Sequence, residues 1–158
     1  MNGDAGDIFA ISAAARKIQA VFADIRRYGF SRRKDFSVGH VEKRMRDDAR
    51  QHDISIAEGD LYMGPKSLSH SRRDVKVNAN KAVSEVDIAS FPRKRASMDL
   101  FYDGEVYVYT DYNSKYIIHP NYQVKTSKGK MKRVNYITAT KVVNANEFTQ
   151  KGSRYRKV

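Results

Sequence analysis

The hydrophobic period of this chain changes once, and the change constrains what it can fold into. Up to about Arg95 the apolar residues recur at three- and four-residue steps; after it they alternate with polar ones. The first spacing gathers side chains on one face of a helix, the second on one face of a strand. From Ile8 to Tyr28, the residues Ile11, Ala14, Ala15, Ile18, Val21, Phe22 and Ile25 form one stripe, with Asp7 placed to cap the helix and Gly29 to end it. Ser31 to Asp35 is a short, basic, loop-like stretch. A second helix is expected from about Val38 to His52, capped by Ser37, with Val41, Met45 and Ala49 facing inward. One or two short strands are expected within Ile54–Met63, before a break at Gly64-Pro65. Ser69–Val83 then reads as a helix, and Ser84 with Asp87 resembles a capping box opening another through about Phe91.

Beyond Arg95, Met98–Tyr102 and Glu105–Thr110 flank Asp103-Gly104, a strong hairpin signal. Tyr116–Val124, bent at Pro120, and Arg133–Val143 supply two further strands. Short connections favour antiparallel neighbours. The expected fold is α+β, with N-terminal helices packed on an antiparallel sheet of about four strands. A helical part over residues 1–53 leads into an α+β region over 54–148 of the same single domain, and residues 149–158 are expected to form a loose basic tail.

Composition removes several classes of function. No run of about 18 apolar residues exists, so no membrane partner is expected, and the first residues lack the layout of a signal peptide. With no cysteine, disulfides, thiolate catalysis and zinc sites built on Cys are excluded. His40, His52, His70 and His119 are scattered without metal-ligand spacing, and no glycine-rich phosphate loop is present, so neither a metal nor a cofactor is expected. Asp99, Asp103, Glu105 and Asp111 surround the first hairpin, either as turn and solvent-facing residues or as a magnesium-dependent nuclease site.

The net charge is +12, and residues 123–158 hold ten basic residues against one acid, Glu147. Nine of the twelve net charges therefore fall in the last 36 residues. Such a field concentrates polyanions, which makes nucleic acid the expected partner and Lys125, Lys128, Lys130, Lys132 and Arg133 candidate contacts; the alternative is a solubilising tail. The densest chemical constellation is Ser69-His70-Ser71-Arg72-Arg73-Asp74-Val75-Lys76, followed by Lys81. On one helix His70, Arg73 and Lys76 would share a sector. An imidazole to move protons and cations to steady a crowded phosphate are the parts needed for metal-free cleavage of RNA at its 2′-hydroxyl. The same residues also suit an exposed basic helix start. Tyr136, Thr138 and Thr140 alternate onto one strand face and offer hydroxyls to a phosphate or rings to a base, or are simply good strand formers.

Leu68 to Phe148, about half of the chain, resembles the C-terminal domains of phage minor head proteins. These belong to the barnase/EndoU/colicin/RelE-like (BECR) nuclease superfamily. The resemblance rests on LSHSRRDVKVNANKAV (Leu68–Val83), DIASFPRKRASMDLFYDG (Asp87–Gly104), YTDYNSKYIIHPNY (Tyr109–Tyr122) and VNYITATKV (Val134–Val142). It implies helices before a four-stranded antiparallel sheet and metal-independent endoribonuclease activity. His70 would be the acid/base, Arg73 and Lys76 the phosphate holders, and Thr138 or Thr140 the late-strand hydroxyl, with Arg72 and Lys81 in support. The implied partner is RNA rather than DNA, and the implied location the host cytoplasm or the phage virion. The other expectation is a noncatalytic module of this fold that binds nucleic acid, a capsid protein or a host protein through its basic surface.

Overall fold

A computed structural model describes residues 5–72, 82–126 and 128–158, with side chains described from residue 9 onward. Helix α1 (Ala5–Tyr28) follows the expected stripe, burying Ala14, Ile18, Val21 and Phe22. It ends where expected: Gly29 takes φ 82° and its N–H donates to the Ile25 carbonyl at 2.8 Å.

The expected second helix divides in two. Phe36–His40 is a strand, β1, and only Lys43–Gln51 is helical, as α2. Phe36 and Val38 point to the core at a period of two, and Gly39 at φ 131° interrupts any continuous helix. Ser37 therefore caps nothing; its hydroxyl donates to Asp60 in β2 (Asp60–Met63). Val41, Met45 and Ala49 are buried as expected. Helix α3 covers Pro65–Ser71, using Pro65 at its first turn, so His70 lies in its last turn rather than at the start of a helix. Most of the helix expected over Ser69–Val83 lies outside the described residues. Helix α4 (Glu85–Lys94) begins at Ser84, whose Oγ accepts from the Asp87 N–H at 3.1 Å, and runs through Pro92 into a 3-10 turn over Arg95–Ser97.

Strands β3 (Asp99–Tyr102), β4 (Tyr107–Thr110), β5 (Ser114–Lys125) and β6 (Met131–Val142) form the expected antiparallel meander. The sheet is larger than expected. It has seven strands in the order β1-β2-β6-β5-β4-β3-β7, with β7 at Arg156–Lys157, and β2 runs parallel to β6. Of the three added strands, β2 falls within the stretch Ile54–Met63 where a short strand is expected, whereas the alternation in β1 and β7 is too short to read. The architecture is α+β, with α1 packed on the sheet. Among the described residues no helix is long and apolar enough to cross a membrane.

Tyr107, Tyr109, Tyr116, Ile118, Ile137 and Leu100 meet the helices on one face of the sheet. Phe101, Val106, Val108 and Phe148 form a smaller cluster on the other. The stretch after Phe148 is not loose. Tyr155 packs on Phe148, and β7 pairs antiparallel with β3. Arg156 reaches Asp48 of α2 at 2.6 and 3.1 Å, and the Tyr107 hydroxyl donates to the same carboxylate at 2.8 Å.

Asp48 is 7 % exposed, so removing it leaves a guanidinium and a buried phenol short of an acceptor. Asp48→Ala should cost about 2–4 kcal/mol in urea unfolding. The Arg156 hydrogen bond, joined by Tyr107, holds the Asp48 carboxyl below its usual range against the opposing effect of burial. A depressed acid contributes fully above about pH 4 and loses its contribution as pH falls through its folded value. The acid limb of stability against pH should therefore flatten in Asp48→Asn; an unchanged midpoint and limb would show that Asp48 does not pin the end of the chain.

Candidate nucleic-acid interface

Strands β5 and β6 are twelve residues each, whereas β4 has four. The register of β4 on β5 stops at Ile118, so the part from Tyr122 to Lys125 and Met131 to Val134 extends past it as a two-stranded arm. Its turn is closed by Thr126 N–H to the Lys130 carbonyl at 2.7 Å, with Gly129 at φ 78°. Lys125, Lys128, Lys130, Lys132 and Arg133 are all exposed. None of the five has a carboxylate partner among the described residues. The later basic residues behave differently. Arg154, Arg156 and Lys157 lie 3.6, 2.6 and 3.5 Å from Asp103, Asp48 and Asp99. Among the described residues, these eight basic residues thus separate into three paired with acids near the end of the chain and five unpaired on the arm.

The arm faces a cleft of about 560 Å³ whose opposite wall is Arg33 and Lys34, with Tyr62 on its floor. Tyr62 alternates with the core residues Leu61 and Met63 and so points away from α1. The Lys132 ammonium sits 5.5 Å from its ring centroid. Tyr122 stacks on Tyr136 at 5.5 Å and remains 38 % exposed, which leaves ring surface at the arm. A second recess of about 390 Å³ shares Arg33 and Asp35 with the cleft and continues it to Phe30, Lys66 and Ser69. Phe30 is 50 % exposed beside Arg32. Cations interleaved with accessible rings form a surface suited to a single-stranded polyanion carrying flat bases.

Asp35 is the acid of this surface; the residue is exposed, but its carboxyl is turned to Tyr136 and Gly64. Its Oδ1 accepts from the Tyr136 hydroxyl at 3.0 Å, and a Cβ on Gly64 would lie 1.7 Å from that oxygen. The crowding strips water from the carboxyl and pushes it above the usual carboxylate range, against the lowering effect of Tyr136.

The other expected site residues are placed as follows. His70 is exposed on α3, one residue after Ser69 on the rim of the second recess. Arg73, Lys76 and Lys81 lie outside the described residues. Arg72 is tied to the Val83 carbonyl and stands 3.8 Å from Glu85, a bracing role rather than an open contact. Ile118 pairs with Ile137 and Ile117 with Ala139, so Thr138 is the extra residue of a bulge. Thr140 is 1 % exposed, with its N–H on the Ser71 hydroxyl at 2.9 Å and its own Oγ1 buried without a hydrogen bond. Its hydroxyl therefore lies in the core and not on the surface with Lys132. Asp103 and Asp111 accept backbone N–H bonds within their own turns, and Asp99 takes the Tyr112 hydroxyl at 2.5 Å. Arg33, Lys34, Lys66, Tyr62 and Phe30 were not singled out as contacts by sequence reasoning, although the basic character of Ser31–Asp35 was the available signal.

Replacing Lys128, Lys130 and Lys132 together by Ala should weaken RNA binding and lower the salt slope by roughly two to three. Arg154→Ala, already paired with Asp103, should barely move either in the same fluorescence titration. Equal effects from the two changes would place the interface elsewhere. Family models, curated proteins and solved structures gave no match to this chain.

Proposed function

We propose that this protein engages single-stranded RNA across the arm, the cleft and the Phe30 recess, and cleaves it without metal using His70 as acid/base. The observation that carries the reading is the absence, among the described residues, of carboxylate partners for the arm cations beside the cleft lined by Arg33, Lys34 and Tyr62. RNA fits better than duplex DNA because rings standing beside cations bind unstacked bases. His70 supports the catalytic half by its exposure next to Ser69, where a bound strand would pass. The resemblance to BECR nucleases and a phage setting agrees with that role.

A second reading, a noncatalytic RNA-binding module of related fold, is favoured by one specific observation. The late-strand hydroxyl of Thr140 is buried beneath α3 and unable to reach a phosphate at the surface.

The deciding experiment incubates labelled single-stranded RNA in EDTA with the wild type and with His70→Ala. Cleavage leaving 2′,3′-cyclic phosphate ends, lost by at least about a hundredfold in the variant with binding retained, is the expected result for a general acid/base. Intact RNA with a salt-sensitive shift would select the binding module. Neither cleavage nor binding would overturn both.

A further inference from the structure

A separate cavity of about 480 Å³ lies between α1, β1 and the turn after α4. Its α1 wall is small and apolar, made by Ala10, Ile11, Ala13 and Ala14. Its polar side carries Lys17, His40, Arg93 and Arg95 together with two carboxylates, Glu42 and Asp60. Lys17 and Arg93 have neither an ion pair nor a hydrogen bond among the described residues.

Arg95 is more telling. Its side chain is 12 % exposed, and Nη1 is buried with no hydrogen-bond partner. Glu42 is 3.8 Å away, beyond hydrogen-bond reach, and its carboxylate already receives the Tyr109 hydroxyl and Arg44. The guanidinium rests on Gly39, where a Cβ would come within 2.5 Å of Nη2. Arg95 thus brings to the cavity wall a guanidinium with no side-chain hydrogen bond among the described residues, and such a group calls for an acceptor.

His40 completes the set. Its Nδ1 lies 2.6 Å from Asp60 Oδ1, while Asp60 Oδ2 accepts the Ser37 hydroxyl at 2.6 Å. The carboxylate orients the ring and keeps the proton on Nδ1, leaving Nε2 without a partner among the described residues. Asp60 is thus engaged through both oxygens and Glu42 through Oε1, against three cations and one imidazole nitrogen on the same wall.

We propose that this cavity binds a nucleoside monophosphate. The phosphate oxygens would meet Arg95, Arg93 and Lys17, with His40 Nε2 bonding a phosphate hydroxyl or, once protonated, an oxyanion. The nucleoside would lie on the alanine ledge of α1. Three cations match a phosphate monoester, with three terminal oxygens and one or two negative charges, better than a carboxylate with two oxygens and one charge. The volume lies in the range of small-ligand sites and exceeds the needs of a bare phosphate. The assignment does not depend on the RNA reading.

The test is calorimetric titration with adenosine 5′-monophosphate, beside inorganic phosphate and succinate, following the His40 Nε2 resonance by NMR. Saturable binding of the nucleotide with a shift at Nε2 is expected, and Arg93→Ala should weaken it by about tenfold or more. Ala13→Leu, which fills the ledge without altering charge, should remove the nucleotide's advantage over inorganic phosphate. Lys132→Ala, in the RNA cleft, should leave nucleotide affinity unchanged, which separates this site from that one. No saturable binding at millimolar nucleotide, or affinity indifferent to both Arg93→Ala and Ala13→Leu, would overturn the proposal. Phosphate binding as well as the nucleotide would remove the nucleoside from it, and succinate binding as well would remove the phosphate.

Discussion

The carboxylate of Asp48 is the point at which three distant parts of the chain are tied. It lies on α2, takes the Tyr107 hydroxyl from the middle of the sheet, and holds Arg156 from the last strand. A two-residue strand such as β7 has too few backbone hydrogen bonds to stay docked on its own. The charged bond to Asp48, with Arg154 and Lys157 beside Asp103 and Asp99, anchors that strand against β3. Closing this edge buries Phe101 and Phe148 behind the sheet and commits the terminal cations to structure.

The electrostatic surface follows from where the acids are used. Asp24 is drawn to Arg33 and Ser31, Asp35 to Tyr136, Glu147 to Lys115, and Asp103 and Asp111 to the N–H groups of their own turns. Each is placed for a local reason, but together they leave few carboxylates to neutralise the β5–β6 arm. A projecting two-stranded arm also has little low-dielectric protein around it to bury a charge, so its lysines remain hydrated and available. Unpaired charge thereby gathers on one projection, a field of the kind that attracts polyanions.

Much of the fold was legible because long segments carry a strong period. The α1 stripe, the Gly29 end, the Ser84 cap, the Asp103-Gly104 turn and the β3–β6 meander all follow from local pattern. What escaped was short or non-local. Phe36 and Val38 alternate over five residues, too few to outweigh the helical spacing of Val41, Met45 and Ala49 beyond them. The parallel pairing of β2 with β6 joins residues more than seventy positions apart and leaves no local signature. The candidate site was half legible. The run Lys125–Arg133 was visible as charge, but its facing wall at Arg33, Lys34 and Tyr62 is assembled only by the sheet.

The bulge at Thr138 shows why strand alternation misleads in the catalytic assignment. Counting by twos from Tyr136 puts Thr138 and Thr140 on its face. One inserted residue reverses the phase, so Thr140 turns toward Tyr116 and the helices while Tyr136 remains beside Tyr122 on the opposite side. The edge of β6 beyond β2 would then expose an unpaired N–H, and Ser71 supplies the acceptor for it. Ser71 is itself bonded to the Ser67 carbonyl one turn earlier. The neighbour of His70 in sequence is therefore occupied in closing the sheet, and His70 is the exposed residue of the same turn. The helix end that seals the core through Ser71 thus exposes Ser69 and His70 just before it, and Ser69 lines the recess at Phe30 and Lys66.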